Sequence, residues 1–157
     1  MSKKALTLIF SLLGSLAAGA LGGLFTASSV SSWYLELNKP FFNPPSWLFS
    51  PVWTLLYLLI GVSLFLALNR AKSIIVKQNL VLLFCVQWVL NVFWTFLFFY
   101  LRSPFLGLLE IIILILVIIL NITYFYKQRK LSAYLLIPYL LWVIFAANLN
   151  LAIWRLN

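Results

Sequence analysis

The side chains in this sequence that could do chemistry are aromatic rings and amides at helical spacing. Trp53 and Tyr57 lie four residues apart, an interval that places both on one face of a helix. Two longer stripes have the same property, namely Gln87, Asn91, Trp94 and Phe98, and then Trp142, Ala146, Leu149 and Asn150. Polar side chains in a membrane span rarely face lipid, so the amides should point inward and bring the tryptophans with them. The pattern predicts an aromatic cavity; hydrogen bonds between helices are the alternative for any single amide.

Acid–base, metal and hydrolytic chemistry have almost no residues to work with. The chain has no histidine, two carboxylates and one cysteine, Cys85. Histidine is the commonest metal ligand, the usual general base and an axial ligand of haem. We therefore expect no metal site and no cofactor, and a single cysteine cannot form an internal disulfide.

The composition is that of an integral membrane protein. Of the 157 residues, 65% are hydrophobic and 8% are charged, whereas soluble domains are about 45–50% apolar and about 25% charged. This excludes a soluble enzyme and a nucleic-acid-binding module. The net charge of +9 is spread in short clusters between apolar runs, which indicates membrane topology rather than a nucleic-acid partner.

Five apolar runs are long enough to cross a bilayer, which takes about 20 helical residues. They predict an all-α protein with one domain over 1–157, a bundle of five transmembrane helices at about 6–27, 47–68, 80–100, 104–126 and 133–153. Barrel strands are disfavoured because the runs are continuous rather than alternating. Three of the four links are short, so consecutive helices should be antiparallel. The second span can begin at Ser46 or at Ser50.

Lysine and arginine are distributed unevenly between the two ends of such a bundle. The N-terminus and the second and fourth links together carry eight, and the opposite end carries Lys39, Arg102 and Arg155. The positive-inside rule therefore predicts a cytoplasmic N-terminus, with the first link and the C-terminus outside. The first run exceeds the apolar stretch of a signal peptide, about 7–15 residues, which favours an uncleaved helix.

The first link, residues 28–46, is the only long one and is rich in proline and aromatic residues. Pro40, Pro44 and Pro45 restrict its backbone to extended geometry. We expect a stiff lid that covers the outer end of the bundle with Trp33, Tyr34, Phe41, Phe42 and Trp47. An interfacial aromatic belt is the alternative interpretation.

Two other features have both a structural and a functional interpretation. Glu110 is the one acidic residue at membrane depth; we expect it to form an ion pair with Arg102 or Arg155, and a functional carboxyl is the alternative. The small residues Ser15, Gly19 and Gly23 recur every four positions, as in closely packed transmembrane helices. That stripe could serve either the bundle itself or a dimer.

Three strings of residues resemble those of a known family. The pattern W-Y-x-x-L-x-K-P-x-x-x-P-P-x-W-x-x-x-P-V-W-x-x-L-Y runs from Trp33 to Tyr57. It is followed by L-N-x-x-W at Leu90–Trp94 and by P-Y-L-x-W-x-x-F-A at Pro138–Ala146. In length, number of spans and order of motifs, essentially the whole chain resembles the translocator protein/tryptophan-rich sensory protein family, formerly called peripheral-type benzodiazepine receptors.

The resemblance implies a five-helix bundle, often a homodimer, that binds protoporphyrin IX and other tetrapyrroles in a cavity closed by the first loop. It also implies binding of benzodiazepine-type and isoquinoline carboxamide compounds. Carried over by position, the ligand-lining candidates are Trp33, Tyr34, Trp53, Asn91, Trp142, Ala146 and Leu149. Leu151 stands where animal members have the tyrosine of a proposed cholesterol motif, so sterol binding is not expected.

Three functions follow from this resemblance. The first is a tetrapyrrole receptor or sensor in the bilayer, expected in a bacterial cell membrane. The second is light-dependent oxidative breakdown of protoporphyrin, in which the indoles of Trp53 and Trp142 would act as electron donors. The third is a transporter of tetrapyrroles or similar apolar compounds, for which Glu110 is the only titratable candidate near the middle of the membrane.

Overall fold

The computed structural model describes residues 2–157, apart from the side chain at position 28. Every regular element in that range is helical: α1 (Lys3–Val30), α2 (Trp33–Glu36), α3 (Ser46–Arg70), α4 (Ile74–Thr95), α5 (Pro104–Gln128) and α6 (Lys130–Leu156). Helix α4 continues directly into a π-helical turn, Phe96–Tyr100. Of the described helices, all except the single turn α2 are long and apolar enough to cross a membrane. The predicted all-α bundle with five spans is confirmed.

The helix ends differ from the predicted ones mainly where polar residues begin a helix. Helix α4 starts at Ile74 rather than near Leu80, because the Ser73 hydroxyl accepts a hydrogen bond from the Val76 N–H and caps the helix. Its first turns contain Lys77 and other polar residues, which hid the start from a search for apolar runs. Of the two possible starts of the second span, Ser46 is the one observed.

The spanning helices form a closed ring in the order α1, α3, α6, α5, α4, with α4 returning to α1. Consecutive spans are antiparallel, as predicted. In α1–α3, Ser15 lies opposite Tyr57 and Leu12 lies opposite Gly61. Helix α4 is parallel to α1, with Gly14 opposite Phe84 and Gly22 opposite Thr95, and is therefore antiparallel to α3. Helix α5 is antiparallel to both its neighbours: Gln87 lies opposite Asn121 and Phe98 opposite Gly107, and Phe125 lies opposite Ser132 and Gly107 opposite Asn150. The eight cations of the N-terminus, the α3–α4 link and the α5–α6 link therefore share one end of the bundle, here called the basic end. The other end is called the α2 end.

Helix α1 packs very closely against α3. A Cβ atom added at Gly61 would lie 2.9 Å from the Leu12 Cα atom and 2.9 Å from the Ser11 carbonyl oxygen. The Ser15 hydroxyl donates to the Tyr57 carbonyl at 2.7 Å. At Gly19, a Cβ atom would come within 2.6 Å of the Tyr57 ring. Two members of the small-residue stripe thus serve packing within the bundle.

Side-chain amides bind the remaining helices to one another. Gln87, Asn91 and Asn150 all point inward, with 1–3% of their surface exposed, as predicted. Asn121 on α5 donates to the Gln87 carbonyl oxygen at 2.9 Å. The Trp94 indole N–H donates to the side-chain oxygen of Asn150, Oδ1, at 3.2 Å. These bonds satisfy polar groups that would otherwise be costly to bury in a membrane.

The close contact at Gly61 yields a test of the packing. We expect Gly61→Ala to lower the free energy of unfolding by about 1–3 kcal/mol, because the added methyl group meets backbone atoms that cannot move aside. Thermal unfolding in detergent, followed by intrinsic fluorescence, measures the change. Gly14→Ala is the matched control, since its methyl group would lie 3.9 Å from the Phe84 ring. Equal unfolding midpoints for the two variants would contradict this account of the α1–α3 contact.

Candidate functional site

The bundle contains one substantial cavity among the described residues, with a volume of about 400 Å³. This volume lies within the usual range of small-molecule pockets, about 300–1,000 Å³. The cavity lies between α1, α3 and the last turns of α4, toward the α2 end, and we call it the main cavity. It is lined by Leu16, Gly19, Ala20, Gly22, Gly23, Thr26, Val30, Tyr34, Ser46, Phe49, Ser50, Trp53, Thr54, Tyr57, Trp94, Thr95 and Phe99.

The main cavity exists because α1 presents almost no side chains along this stretch. Gly22 faces Thr95, where an added Cβ atom would be 3.3 Å away, so α1 and α4 are in close contact there. One residue later, a Cβ atom at Gly23 would meet nothing within 4 Å. Helices α1 and α3 touch at Gly61 and Gly19, and beyond these contacts the space between them is open. Glycine therefore permits both the contact and the void.

An aromatic cluster forms the inner wall of the main cavity. The Trp53 ring stacks on Tyr57 with 5.5 Å between centroids and an interplanar angle of 26°. Tyr139 meets Trp53 edge-on at 6.3 Å. On the α4 side, Trp94 stacks on Phe98 at 5.3 Å. This wall offers flat apolar surfaces on which an aromatic ligand could stack.

Asn91 holds the two tyrosines that surround Trp53. The Tyr57 hydroxyl donates to the side-chain oxygen of Asn91, Oδ1, at 2.7 Å, and the side-chain N–H of Asn91, on Nδ2, donates to the Tyr139 hydroxyl at 3.1 Å. All three side chains are buried. Since the residues belong to α3, α4 and α6, one amide joins three helices and fixes the orientation of the aromatic wall.

The first link closes the main cavity at the α2 end through Tyr34, whose side chain is buried. The Tyr34 hydroxyl donates to the Asn43 carbonyl oxygen at 2.9 Å, and the Lys39 ammonium group lies 4.9 Å from the ring centroid. Burial raises the pKa of Tyr34 to about 12, so its hydroxyl remains a neutral donor at physiological pH. Asn38 and Asn157 exchange two hydrogen bonds, which tie the link to the end of α6.

The predicted lid is wrong for two of its five aromatic residues. Phe41 is completely exposed and Trp47 is 71% exposed, so neither covers the bundle. Phe42 contacts Phe145 of α6 at a centroid distance of 6.4 Å. The four-residue helix α2 directs Trp33 and Tyr34 inward, whereas Phe41 in the proline-rich segment and Trp47 in the first turn of α3 point away from the bundle.

Comparison with known proteins agrees with this architecture. A family model described as the TspO/MBR family matches residues 11–155. The chain belongs to the TspO/MBR family. It is 47% identical over 154 residues to the tryptophan-rich protein TspO of Archaeoglobus fulgidus, with 97% of each chain covered. It is 40% identical over 157 residues to the protein of that name from Chlorobaculum tepidum, covering 100% and 99% of the two chains. It is 32% identical over 137 residues to the translocator protein of Homo sapiens, covering 87% and 81%.

The residues carried over from the TspO/MBR family do not all surround one space. Tyr34 and Trp53 line the main cavity, and Trp33 packs on Phe98 with 5.8 Å between ring centroids. Ala146 and Leu149 instead line a separate cavity of about 20 Å³. The two cavities share three lining residues, Tyr34, Trp94 and Phe99. These three aromatic side chains form a partition between the two spaces.

The other two family positions lie behind the wall of the main cavity. Asn91 supports the wall through its tyrosines and does not line the main cavity. Trp142 contacts Phe49 and Phe145 at 6.1 and 5.4 Å, and its buried indole N–H has no hydrogen-bond partner. Trp142 therefore reaches the cavity through Phe49, which does line it.

Several lining residues were not among the sequence candidates. Ser50 lies three residues before Trp53, and Thr54 lies four residues after Ser50, so the periodicity of α3 could have indicated both. Thr95 lies four residues after Asn91, so the spacing within α4 could have indicated it as well, whereas Phe99 could not have been found in this way. The π-helical turn adds a residue to the helical register at Phe96–Tyr100, and regular 3.6-residue spacing fails there.

The expected ion pair of Glu110 is not formed. Glu110 is 4% exposed, and neither of its carboxylate oxygens has a hydrogen-bond partner. Arg102 and Arg155 are both exposed at the surface. The reason is that Glu110 lies on the inner face of α5, together with Ile111 and Leu114, whereas both arginines lie at the helix ends. Glu110 also lies outside the lining of the main cavity.

The hydrogen bonds of Asn91 yield a second test. We expect Tyr57→Phe and Asn91→Leu each to lower the free energy of unfolding by about 1–3 kcal/mol, because each leaves a buried polar group without its partner. The double variant should lose less unfolding free energy than the two single variants lose in total, and the difference, which is the coupling energy, should be at least about 0.5 kcal/mol. Equilibrium unfolding in detergent gives the unfolding free energies of the wild type, the two single variants and the double variant. Asn148→Leu is the control, since Asn148 is exposed; strict additivity would disprove the Asn91 interaction.

Proposed function

We propose that this protein is a membrane receptor or sensor that binds protoporphyrin IX or a similar tetrapyrrole in the main cavity. The observation that carries the proposal is the stacked pair of Trp53 and Tyr57, held by Asn91 against a cavity of about 400 Å³. Benzodiazepine-type and isoquinoline carboxamide compounds, which are also aromatic and apolar, would occupy the same space. Family membership supports the proposal.

Selectivity for such a ligand has to come from shape and stacking. The macrocycle of protoporphyrin IX is flat and apolar apart from its two propionate groups and already dissolves in the bilayer, so burial of the ring surface in the protein gives little additional free energy. Each aromatic contact contributes about 0.5–1.5 kcal/mol beyond burial. Trp53 and Trp94 both line the main cavity and are both held in place by stacked neighbours. A binder of moderate affinity is the result expected from these contacts.

The same site could support light-dependent breakdown of the bound porphyrin. Indole is the most easily oxidised side chain in the cavity, and Trp53 lies on its wall. In this proposal the excited porphyrin accepts one electron from the Trp53 indole and passes it to dissolved dioxygen, which becomes superoxide. The indole radical cation then takes an electron from the porphyrin, and the porphyrin radical cation combines with superoxide. The net reaction adds one dioxygen to the porphyrin and regenerates Trp53. Trp142 lies behind Phe49 and is proposed as a second donor, at a longer distance from the ligand.

We further propose the orientation and setting of the receptor. The eight cations at the basic end support a cytoplasmic location for that end, which places α2 and the C-terminus outside a bacterial cell membrane. A homodimer is proposed on family resemblance. Transport is the less favoured function, because Glu110 does not line the main cavity and so has no direct contact with a ligand there.

Tryptophan substitutions test where the ligand binds. We expect Trp53→Ala to weaken dark binding of protoporphyrin IX about three- to ten-fold, because a stacking surface is lost. Trp142→Ala should have a smaller effect, since it acts through Phe49. Titration of purified protein, followed by porphyrin fluorescence, gives the dissociation constants. Trp154→Ala, outside the lining of the main cavity and 43% exposed, is the control. Unchanged affinity in the Trp53 variant would refute the proposed site.

Illumination tests the photochemical part of the proposal separately. We expect the double variant Trp53→Phe, Trp142→Phe to degrade bound porphyrin more slowly than the wild type, because phenylalanine is much harder to oxidise than indole. Loss of the porphyrin absorbance band under constant light, at saturating protein, measures the rate. Trp154→Phe should leave the rate unchanged. A double variant that degrades porphyrin at the full rate would remove the tryptophans from the reaction and leave the binding proposal intact.

A further inference from the structure

The main cavity is open on its side. On α1, Ala20 and Gly23 both line the cavity and lie exposed on the outer surface of the bundle. On α3, Ser50 and Thr54 have the same two properties. A residue that lines a cavity and is also exposed marks an opening. These four residues, together with Ser46 in the first turn of α3, which also lines the cavity and is exposed, define a slot between α1 and α3. Because both helices span the membrane, the part of the slot between Ala20, Gly23 and Thr54 faces lipid.

The two edges of the slot differ in chemistry. The α1 edge is bare, since a Cβ atom at Gly23 would meet nothing within 4 Å. The α3 edge carries a hydroxyl row, formed by Ser46, Ser50 and Thr54 at intervals of four residues. Within this row the Thr54 hydroxyl donates to the Ser50 carbonyl oxygen at 2.9 Å, so it can lie on a lipid-facing surface without an unmatched donor. The hydroxyl row distinguishes the slot from an ordinary groove between two lipid-facing helices.

At the α2 end the slot stops at Ser46, and the first link covers the rest of the cavity. Tyr34 covers the cavity there with 5% of its surface exposed, and it is fixed by its hydrogen bond to Asn43. The link itself is held to α6 by the paired hydrogen bonds of Asn38 and Asn157. A ligand that entered through the first link would have to break these contacts, whereas a ligand dissolved in the bilayer meets an open slot.

We propose that the slot between α1 and α3 is the route by which the ligand passes, edge first, between the bilayer and the main cavity. This inference rests on the proposed function, because it takes a flat tetrapyrrole as the ligand. It assigns to Ala20 and Gly23 a role in the rate of binding rather than in its strength. The first link then stays in place over the cavity and need not open during each binding event.

Replacement of two alanines of α1 by leucine, one at the slot and one away from it, tests the route. We expect Ala20→Leu to slow both association and dissociation of protoporphyrin IX by about five-fold or more, because the larger side chain narrows the slot in the bound and free states alike. The dissociation constant should change much less than either rate. Stopped-flow mixing of protein in lipid nanodiscs with porphyrin-loaded vesicles, in the dark, gives both rates. Ala17→Leu is the control, since Ala17 is exposed on α1 and does not line the cavity.

Gly23→Leu provides a second narrowing variant, which should also fold, since nothing lies within 4 Å of a Cβ atom there. Slower rates in Ala20→Leu and Gly23→Leu, with Ala17→Leu unchanged, support the route. If the wild type binds porphyrin but all three variants match its rates, the slot is only a groove for acyl chains and the inference is wrong. If the wild type shows no saturable binding, the proposed function fails and the inference fails with it.

Discussion

The interaction on which the site depends is the pair of hydrogen bonds made by the Asn91 amide. In a bilayer, a helix gains little by burying apolar surface against another helix, because lipid is equally apolar. Polar contacts and close packing must therefore decide how the helices are arranged. Asn91 accepts from Tyr57 and donates to Tyr139, so it aligns α3, α4 and α6 at one level of the membrane. The same two bonds orient the rings that hold Trp53.

Helix α1 is held in the ring mainly by close packing at glycine residues. It approaches α3 where Gly61 meets the Leu12 backbone, and it approaches α4 where Gly22 meets Thr95. Beside the aromatic wall, α1 offers Gly19, Ala20, Gly22 and Gly23, with Thr26 and Val30 nearer the α2 end. The bundle therefore cannot fill this space with its own side chains, and a void remains beside the aromatic wall. Close contact and cavity are two consequences of one glycine-rich stretch.

The partition made by Tyr34, Trp94 and Phe99 explains why the family positions fall on two sides of the bundle. One side is the main cavity next to Trp53, and the other is the small space next to Ala146 and Leu149. The π-helical turn at Phe96–Tyr100 supports this partition by bringing Phe99 to both spaces. The Ser29 hydroxyl of α1 donates to the Phe99 carbonyl at 2.7 Å and holds the turn in place.

The sequence by itself determined the class of protein, the number of spans and the inward direction of Gln87, Asn91 and Asn150. These follow from composition and from 3.6-residue periodicity, because lipid penalises exposed polar groups strongly enough to fix which face of a helix is buried. Tertiary structure alone decided that Asn91 braces the wall, that Glu110 has no arginine partner, and that Phe41 and Trp47 point away from the bundle. Those outcomes depend on which helices become neighbours and at what depth two side chains meet. Such contacts form between segments far apart in the chain, so the spacing of residues within one segment cannot predict them.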